Sequence, residues 1–210
     1  MPQPLQAPKK LVILDRDGVI NFDSDDYVKS PAEWRPIPGS LEAIARLNQH
    51  GYQVAIATNQ AAISRGLFDM KTLNAIHQKL HLSAQAVGAH SDAIFFCPHA
   101  ADEFCDCRKP RPGMLLSIGE RFGVSLQGVP MVGDSLRDLQ AAIQVGAAPY
   151  LVMTGKGEQT LATGGLPPGT RIFDNLAMTV DRLLHAELAV PDTVELARTA
   201  LNKKKTNSQN

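Results

Sequence analysis

The stretch Leu11-Val12-Ile13-Leu14-Asp15-Arg16-Asp17-Gly18 decides the fold. Four branched apolar residues bounded by polar ones are too short a run for a helix and suit a buried strand. The strand ends abruptly in charge, which is where an open parallel sheet holds its ligands. Working outward, similar short apolar runs recur at Gln53–Ala57, Ala93–Phe96, Pro130–Val132, Tyr150–Met153 and Arg171–Phe173. Longer amphipathic stretches separate them. Ser40–Gln49 reads as a helix capped by Ser40 and stopped by Gly51. Asp69 is the expected N-cap of a helix reaching about Val87, with Leu73, Ile76 and Leu80 on one face. Met114–Phe122 and Leu136–Val145 each run into a glycine, and Leu176–Leu184 follows Asp174 or Asn175 as cap. Strands alternating with helices predict an α/β fold, a Rossmann-like parallel sheet with helices on both faces. Residues 1–190 are expected to form one domain and 191–210 a C-terminal tail ending in the polar run KKKTNSQN.

Composition removes several classes of function. Lys plus Arg and Asp plus Glu number 21 each, so no net field attracts nucleic acid or an anionic membrane. No apolar run approaches the ~18 residues of a membrane-spanning helix. The opening MPQPLQAPKK lacks the apolar core of a secretion signal. Three cysteines, an odd number, make a poor disulfide framework. The expectation is a cytoplasmic monomer acting on a small molecule, with no nucleic-acid or membrane partner.

Polar groups are phased to the strand ends. Asp15 and Asp17 follow the first run, Thr58-Asn59-Gln60 the second, a Cys/His cluster the third and Gly133-Asp134 the fourth. Alternate residues of an extended segment face the same way, so Asp15 and Asp17 can address one ligand. Paired carboxylates suit a nucleophile with a general acid/base, although a solvated loop rim would look the same. Asp134 adds an oxygen ligand of the kind Mg²⁺ takes, or equally an N-cap; Asp138 lies one helical turn further on. Lys109 can neutralise a phosphoryl oxygen, and Thr58 can bond another.

All three cysteines fall in the run Cys97-Pro98-His99 to Cys105-Asp106-Cys107. Three thiolates and an imidazole form a closed tetrahedral Zn²⁺ site, structural because no position stays open for water. Such a zinc-bound loop would run directly into Arg108-Lys109 and position the lysine.

The set Asp15/Asp17, Thr58, Lys109 and Asp134 resembles the four motifs of the haloacid dehalogenase-like superfamily, the aspartate-nucleophile phosphotransferases. The resemblance covers about residues 11–155 and implies that Asp15 attacks phosphorus while Asp17 handles protons. It implies Mg²⁺ held by Asp15, the Asp17 carbonyl and Asp134. CPH with CDCRKP is similar to a zinc-containing branch of that superfamily that acts on heptose bisphosphates or histidinol phosphate. Arg65-Gly66-Leu67-Phe68, Pro112-Gly113-Met114 and Asp26-Tyr27-Val28 resemble its heptose side. Asp23, Asp26, Tyr27, Asn59, Gln60 and Arg108 are then expected to contact substrate. The chain departs from the branch at Ala61-Ala62, where a serine and a glycine are usual, and at Ser135, where a lysine is common. Neither Gly18–Pro38 nor Asn59–Arg108 has room for a large cap, so the site should be open. A histidinol-phosphate phosphatase is the nearest rival reading. A phosphomutase would need a site shielded from water, and a nucleic-acid-binding zinc module would need a basic surface.

Three other features have plainer readings. Trp34 is expected to pack in a proline-rich loop, His77 and His81 to lie on a solvated helix face, and Lys203–Lys205 to be solvated tail.

Overall fold

The computed structural model describes residues 10–188 of the chain. The tail 191–210, with Lys203–Lys205, lies outside the described residues. The opening apolar run is β1 (Lys10–Leu14), and the order continues α1 (Ser40–Gln49), β2 (Tyr52–Asn59), α2 (Met70–Ala86), β3 (Ala93–Cys97), α3 (Gly113–Phe122). It then runs β4 (Pro130–Gly133), α4 (Leu136–Gln144), β5 (Ala148–Val152), α5 (Gly157–Thr163), β6 (Arg171–Phe173), α6 (Leu176–Leu188). The six strands form one parallel sheet in the order β3-β2-β1-β4-β5-β6. Chain order reverses on either side of β1, so the ligand crevice of such a sheet lies between β1 and β4.

Because side chains alternate along a strand, β1 contributes to two cores. Leu11 and Ile13 join Ala55, Ala57 and Met131 against Met114, Leu115, Ile118 and Phe122 of α3 and Ala141 and Ala142 of α4. Val12 and Leu14, with Val54 and Ile56, are equally buried on the opposite side, as are the inner faces of α1 and α2. Burial on both faces explains why these strands read as continuous apolar runs instead of alternating ones. The long stretches between elements are 15–39 and 98–112, neither large enough for a cap domain.

Four local readings are corrected. Ser40 is the first helical residue, not the cap: Gly39 is the cap, in the left-handed region, and Ser40 Oγ donates to the Ile20 carbonyl at 2.6 Å. Asp134 does not cap α4; Ser135 does, in a reciprocal box with Asp138. Helix α5 was not anticipated, because seven residues between glycines are too few for a periodic pattern. His77 is not solvated: it sits on the buried face of α2 with Leu73, Leu80 and Ala84. Asp69 caps α2 by accepting from the Thr72 N–H, Asn175 accepts from the Met178 N–H at the head of α6, and Trp34 is fully buried, all as the sequence indicated.

Candidate active site

A cavity of about 180 Å³ opens at the carboxyl ends of β1, β2 and β4. Asp15, Asp17, Asp23, Tyr27, Thr58, Asn59, Gln60, Arg108, Lys109 and Asp134 all line it. Asp26 does not; it is exposed, and Asp25 occupies the wall instead. The cavity is smaller than the ~300–1,000 Å³ that encloses a whole small ligand. It suits a phosphoryl group, with the rest of a substrate resting on its rim.

At its floor lies Lys109, 1% exposed. Three oxygens surround the ammonium: the Ala57 carbonyl accepts a hydrogen bond from it at 2.6 Å, and Asp15 Oδ1 at 3.0 Å and Asp138 Oδ1 at 2.6 Å form ion pairs with it. Burial works against its charge, but Asp138 and Asp15 outweigh it and hold the ammonium above its ordinary pKa. Asp138 is held low by the same lysine, against its own burial, with help from Ser135. Asn59, expected to touch substrate, lines the cavity and also braces the lysine's backbone. Its Nδ2 donates to the Lys109 carbonyl at 3.0 Å and its Oδ1 accepts from the Lys109 N–H at 3.1 Å. Gln60 is likewise occupied, donating to Asp17 Oδ2 and Thr58 Oγ1, each at 2.9 Å.

Asp15 accepts from the Arg16 N–H at 2.7 Å. Burial drives its pKa well up; Lys109 pulls it down, while Asp138, Asp134 and Asp17 push further up. Asp134 is raised to about 7, chiefly by burial and then by Asp138. The Asp15, Asp134 and Asp138 carboxylates each bring an oxygen within 4.8 Å of the others. A divalent cation fits this set: the donors are hard oxygens, and it supplies the positive charge that crowded, buried carboxylates lack. Two glycines make room beside Asp134. Gly18 and Gly155 both have positive φ, and a β-carbon on either would overlap Asp134 Oδ2.

The Cys/His cluster is assembled as the sequence indicated. Cys97 Sγ lies 3.8 Å from Cys105 Sγ and 3.5 Å from His99 Nδ1, and Cys107 Sγ lies 3.4 Å from the same nitrogen. Zinc bonds of ~2.3 Å to sulfur and ~2.0–2.1 Å to nitrogen give tetrahedral edges of about 3.8 and 3.5 Å, so the donors fit that ion. Arg108 hangs from this loop, donating through Nη1 to the His99 carbonyl at 3.0 Å.

Three wall residues were not singled out. Asp138 was seen only as a neighbour of Asp134; its grip on Lys109 is non-local. Arg137 lines the cavity from the first turn of α4. Lys156 reaches in from beyond β5, its ammonium 3.5 Å from Asp23 and 3.3 Å from Asp25, and its N–H donating to Asp134 Oδ2 at 2.8 Å. The Gly155-Lys156-Gly157 run was the available signal, a turn at a strand end.

Among known proteins, residues 10–136 match the polynucleotide kinase 3 phosphatase family and residues 106–179 the HAD-hydrolase-like family. A D-glycero-beta-D-manno-heptose-1,7-bisphosphate 7-phosphatase of Bordetella bronchiseptica is 60% identical over 83% of this chain and 98% of its own length. The chain belongs to the haloacid dehalogenase-like phosphatases. A Pseudomonas aeruginosa enzyme of the same name is 54% identical over 84% of the chain and 98% of its own length. The solved D,D-heptose 1,7-bisphosphate phosphatase from B. bronchiseptica, complexed with magnesium and phosphate, superposes with a TM-score of 0.83. It is 59% identical and covers 84% of this chain and 99% of its own. Like other phosphatases of this superfamily, the chain is a phosphoric monoester hydrolase. Among the described residues, no helix is long and apolar enough to cross a membrane.

Proposed function

We infer that this phosphatase removes the 7-phosphate from D-glycero-D-manno-heptose 1,7-bisphosphate through an aspartyl-phosphate intermediate. One observation carries the chemistry: a buried lysine 3.0 Å from Asp15, in a cavity at the point where strand order reverses. The substrate follows from the names of relatives similar over nearly their whole length.

Asp15 attacks phosphorus in line, and the bond from phosphorus to the sugar oxygen breaks. Asp17 gives that oxygen its proton, then takes one from the water that cleaves the aspartyl phosphate. Lys109 and Thr58 stabilise the oxygens of the transferred group, the lysine as a fixed charge that needs no reorganisation. Mg²⁺, held by Asp15, Asp134 and the Asp17 carbonyl, would neutralise developing charge on the phosphoryl group. Zn²⁺ on Cys97, His99, Cys105 and Cys107 would order the loop that presents Arg108. Arg108, Asp23 and Tyr27, which line the cavity, contact the remainder of the substrate. Tyr27 adopts a left-handed backbone at φ 64°, and Arg65 lies over its ring. The enzyme is proposed to act as a cytoplasmic monomer.

The test is phosphate release from both anomers of the heptose bisphosphate, fructose 1,6-bisphosphate and histidinol phosphate, with wild type and Asp15→Asn. The heptose bisphosphate should give the highest kcat/KM, and Asp15→Asn should lose several orders of magnitude on every substrate. Preference for histidinol phosphate would transfer the substrate assignment, and near-normal turnover by Asp15→Asn would refute the covalent mechanism.

A further inference from the structure

The carboxylate that must carry the proton is held in an unusually complete frame. Asp17 Oδ1 accepts from Arg16 Nε at 3.1 Å, Arg16 Nη2 at 3.0 Å and Asn21 Nδ2 at 2.8 Å. Oδ2 accepts from Arg16 Nη2 and Gln60 Nε2, both at 2.9 Å. Arg16 is therefore the principal holder of Asp17, and it is itself 1% exposed. One edge of its planar guanidinium, Nε with Nη2, grips the carboxylate. A guanidinium gripped by one edge still pivots about that edge. What stops it is at the other end: Nη1 lies 3.3 Å from His77 Nε2.

His77 comes from α2, sixty-one positions along the chain, and is buried between that helix and the sheet. Its ring meets Phe96 of β3 edge-on, with centroids 6.3 Å apart. Arg16 has only protons to give, so His77 must accept at Nε2 and carry its own proton on Nδ1. The charged and titratable groups acting on it are Arg16 and Asp17 from the loop after β1 and His81 from α2. A neutral imidazole meets the requirement; a protonated one would set two cations against each other.

We propose that His77 is a positioning residue for the proton transfers of this site: by fixing Arg16 at Nη1, it fixes the orientation of the Asp17 carboxylate at the leaving oxygen. The proposal rests on the acid/base role given to Asp17 above. Proton transfer tolerates little misplacement, and an error of about 1 Å can cost about 10²-fold in rate. The purpose of a polar side chain among Leu73, Leu80 and Ala84 is then catalytic alignment, reached from a helix that contributes nothing else to the cavity.

The leaving group separates this from a plain packing role. A sugar alkoxide needs a proton as it departs, whereas p-nitrophenolate leaves without one. The experiment measures the burst of leaving-group release by the full chain with Mg²⁺, on the heptose bisphosphate and on p-nitrophenyl phosphate. The variants are His77→Leu, His77→Gln and Asp17→Asn. His77→Leu should slow sugar release about tenfold or more, change KM by less than about twofold and barely alter the p-nitrophenyl burst. His77→Gln, which keeps an acceptor, should recover most of the loss. Equal losses on both substrates, or no rescue by glutamine, would reduce His77 to packing and overturn the proposal. If His77→Leu does not fold, His77→Asn, polar but too short to reach Nη1, must reproduce the same selective loss, and failure to do so also overturns it. If Asp17→Asn itself shows no leaving-group dependence, the acid/base reading falls and this proposal with it. Dependence in Asp17→Asn but not in the His77 variants sinks the positioning role alone.

Discussion

Arg108 and Lys109 are adjacent cations with opposite kinds of work. Lys109 is buried against Asp15, Asp138 and the Ala57 carbonyl, which hold its charge at the floor of the cavity. Arg108 is half-buried and spends one nitrogen on the His99 carbonyl, which leaves most of its donor fork for a ligand. A bisphosphate places one group over Asp15 and leaves the other some distance away, and a planar fork can bind that second anion bidentately. Arg108→Ala should therefore weaken kcat/KM for the heptose 1,7-bisphosphate by about 1.5–3 kcal/mol, the range for a hydrogen bond to a charged group. The corresponding 7-monophosphate should lose much less. Equal losses, measured by initial rates on the two substrates, would place Arg108 at the transferred phosphoryl group instead.

The loop from Pro98 to Lys109 has no regular structure, yet it carries Arg108 and Lys109 into the cavity. Its order has to come from elsewhere, and the Zn²⁺ proposed on Cys97, His99, Cys105 and Cys107 would supply it. Protein purified without added metal should contain about one Zn²⁺ per chain, by elemental analysis. Cys105→Ser should lose zinc, lower the melting temperature and cut kcat together, because the lysine and arginine lose their anchor. Full activity and an unchanged melting temperature in zinc-free protein would refute the ordering role. This cluster was legible because its ligands are close in sequence, and the strands were legible because burial on both faces leaves unbroken apolar runs. Other elements spoke less clearly. Ser40 carries the hydroxyl of a cap, but Gly39 takes the turn and the hydroxyl bonds Ile20, twenty residues back and up to about 70 Å away along an extended chain, a distance that only the fold closes. Asn59 and Gln60 stand in the right loop, but which groups their amides meet depends on separations of fifty and forty-three residues that no local pattern encodes.

At the scale of the whole molecule, stability and the site are linked through His77. Its four-residue spacing from Leu73 put it on the inner face of α2, a signal the pairing with His81 obscured. Burial lowers its pKa from 6.5 to about 4, and Arg16 and then His81 push the same way. The unfolded chain therefore takes up a proton first as pH falls. Stability from this group is whole above about pH 6.5 and is lost as pH drops through 6.5 toward 4. The loss amounts to about 2 kcal/mol by pH 5 and about 3 kcal/mol by pH 4. Asp134, raised to about 7, runs the other way over the same window, since the folded state binds its proton more tightly. The raw curve for the wild type thus mixes both signs. His77→Gln keeps Asp134 and removes only the imidazole, so the difference between the two proteins isolates the histidine. Denaturant titrations at pH 7.5, 6, 5 and 4.5 should show wild type losing ground to His77→Gln steadily as pH falls. A difference that stays flat across the window would mean that His77 titrates normally and is not the neutral acceptor that Arg16 requires.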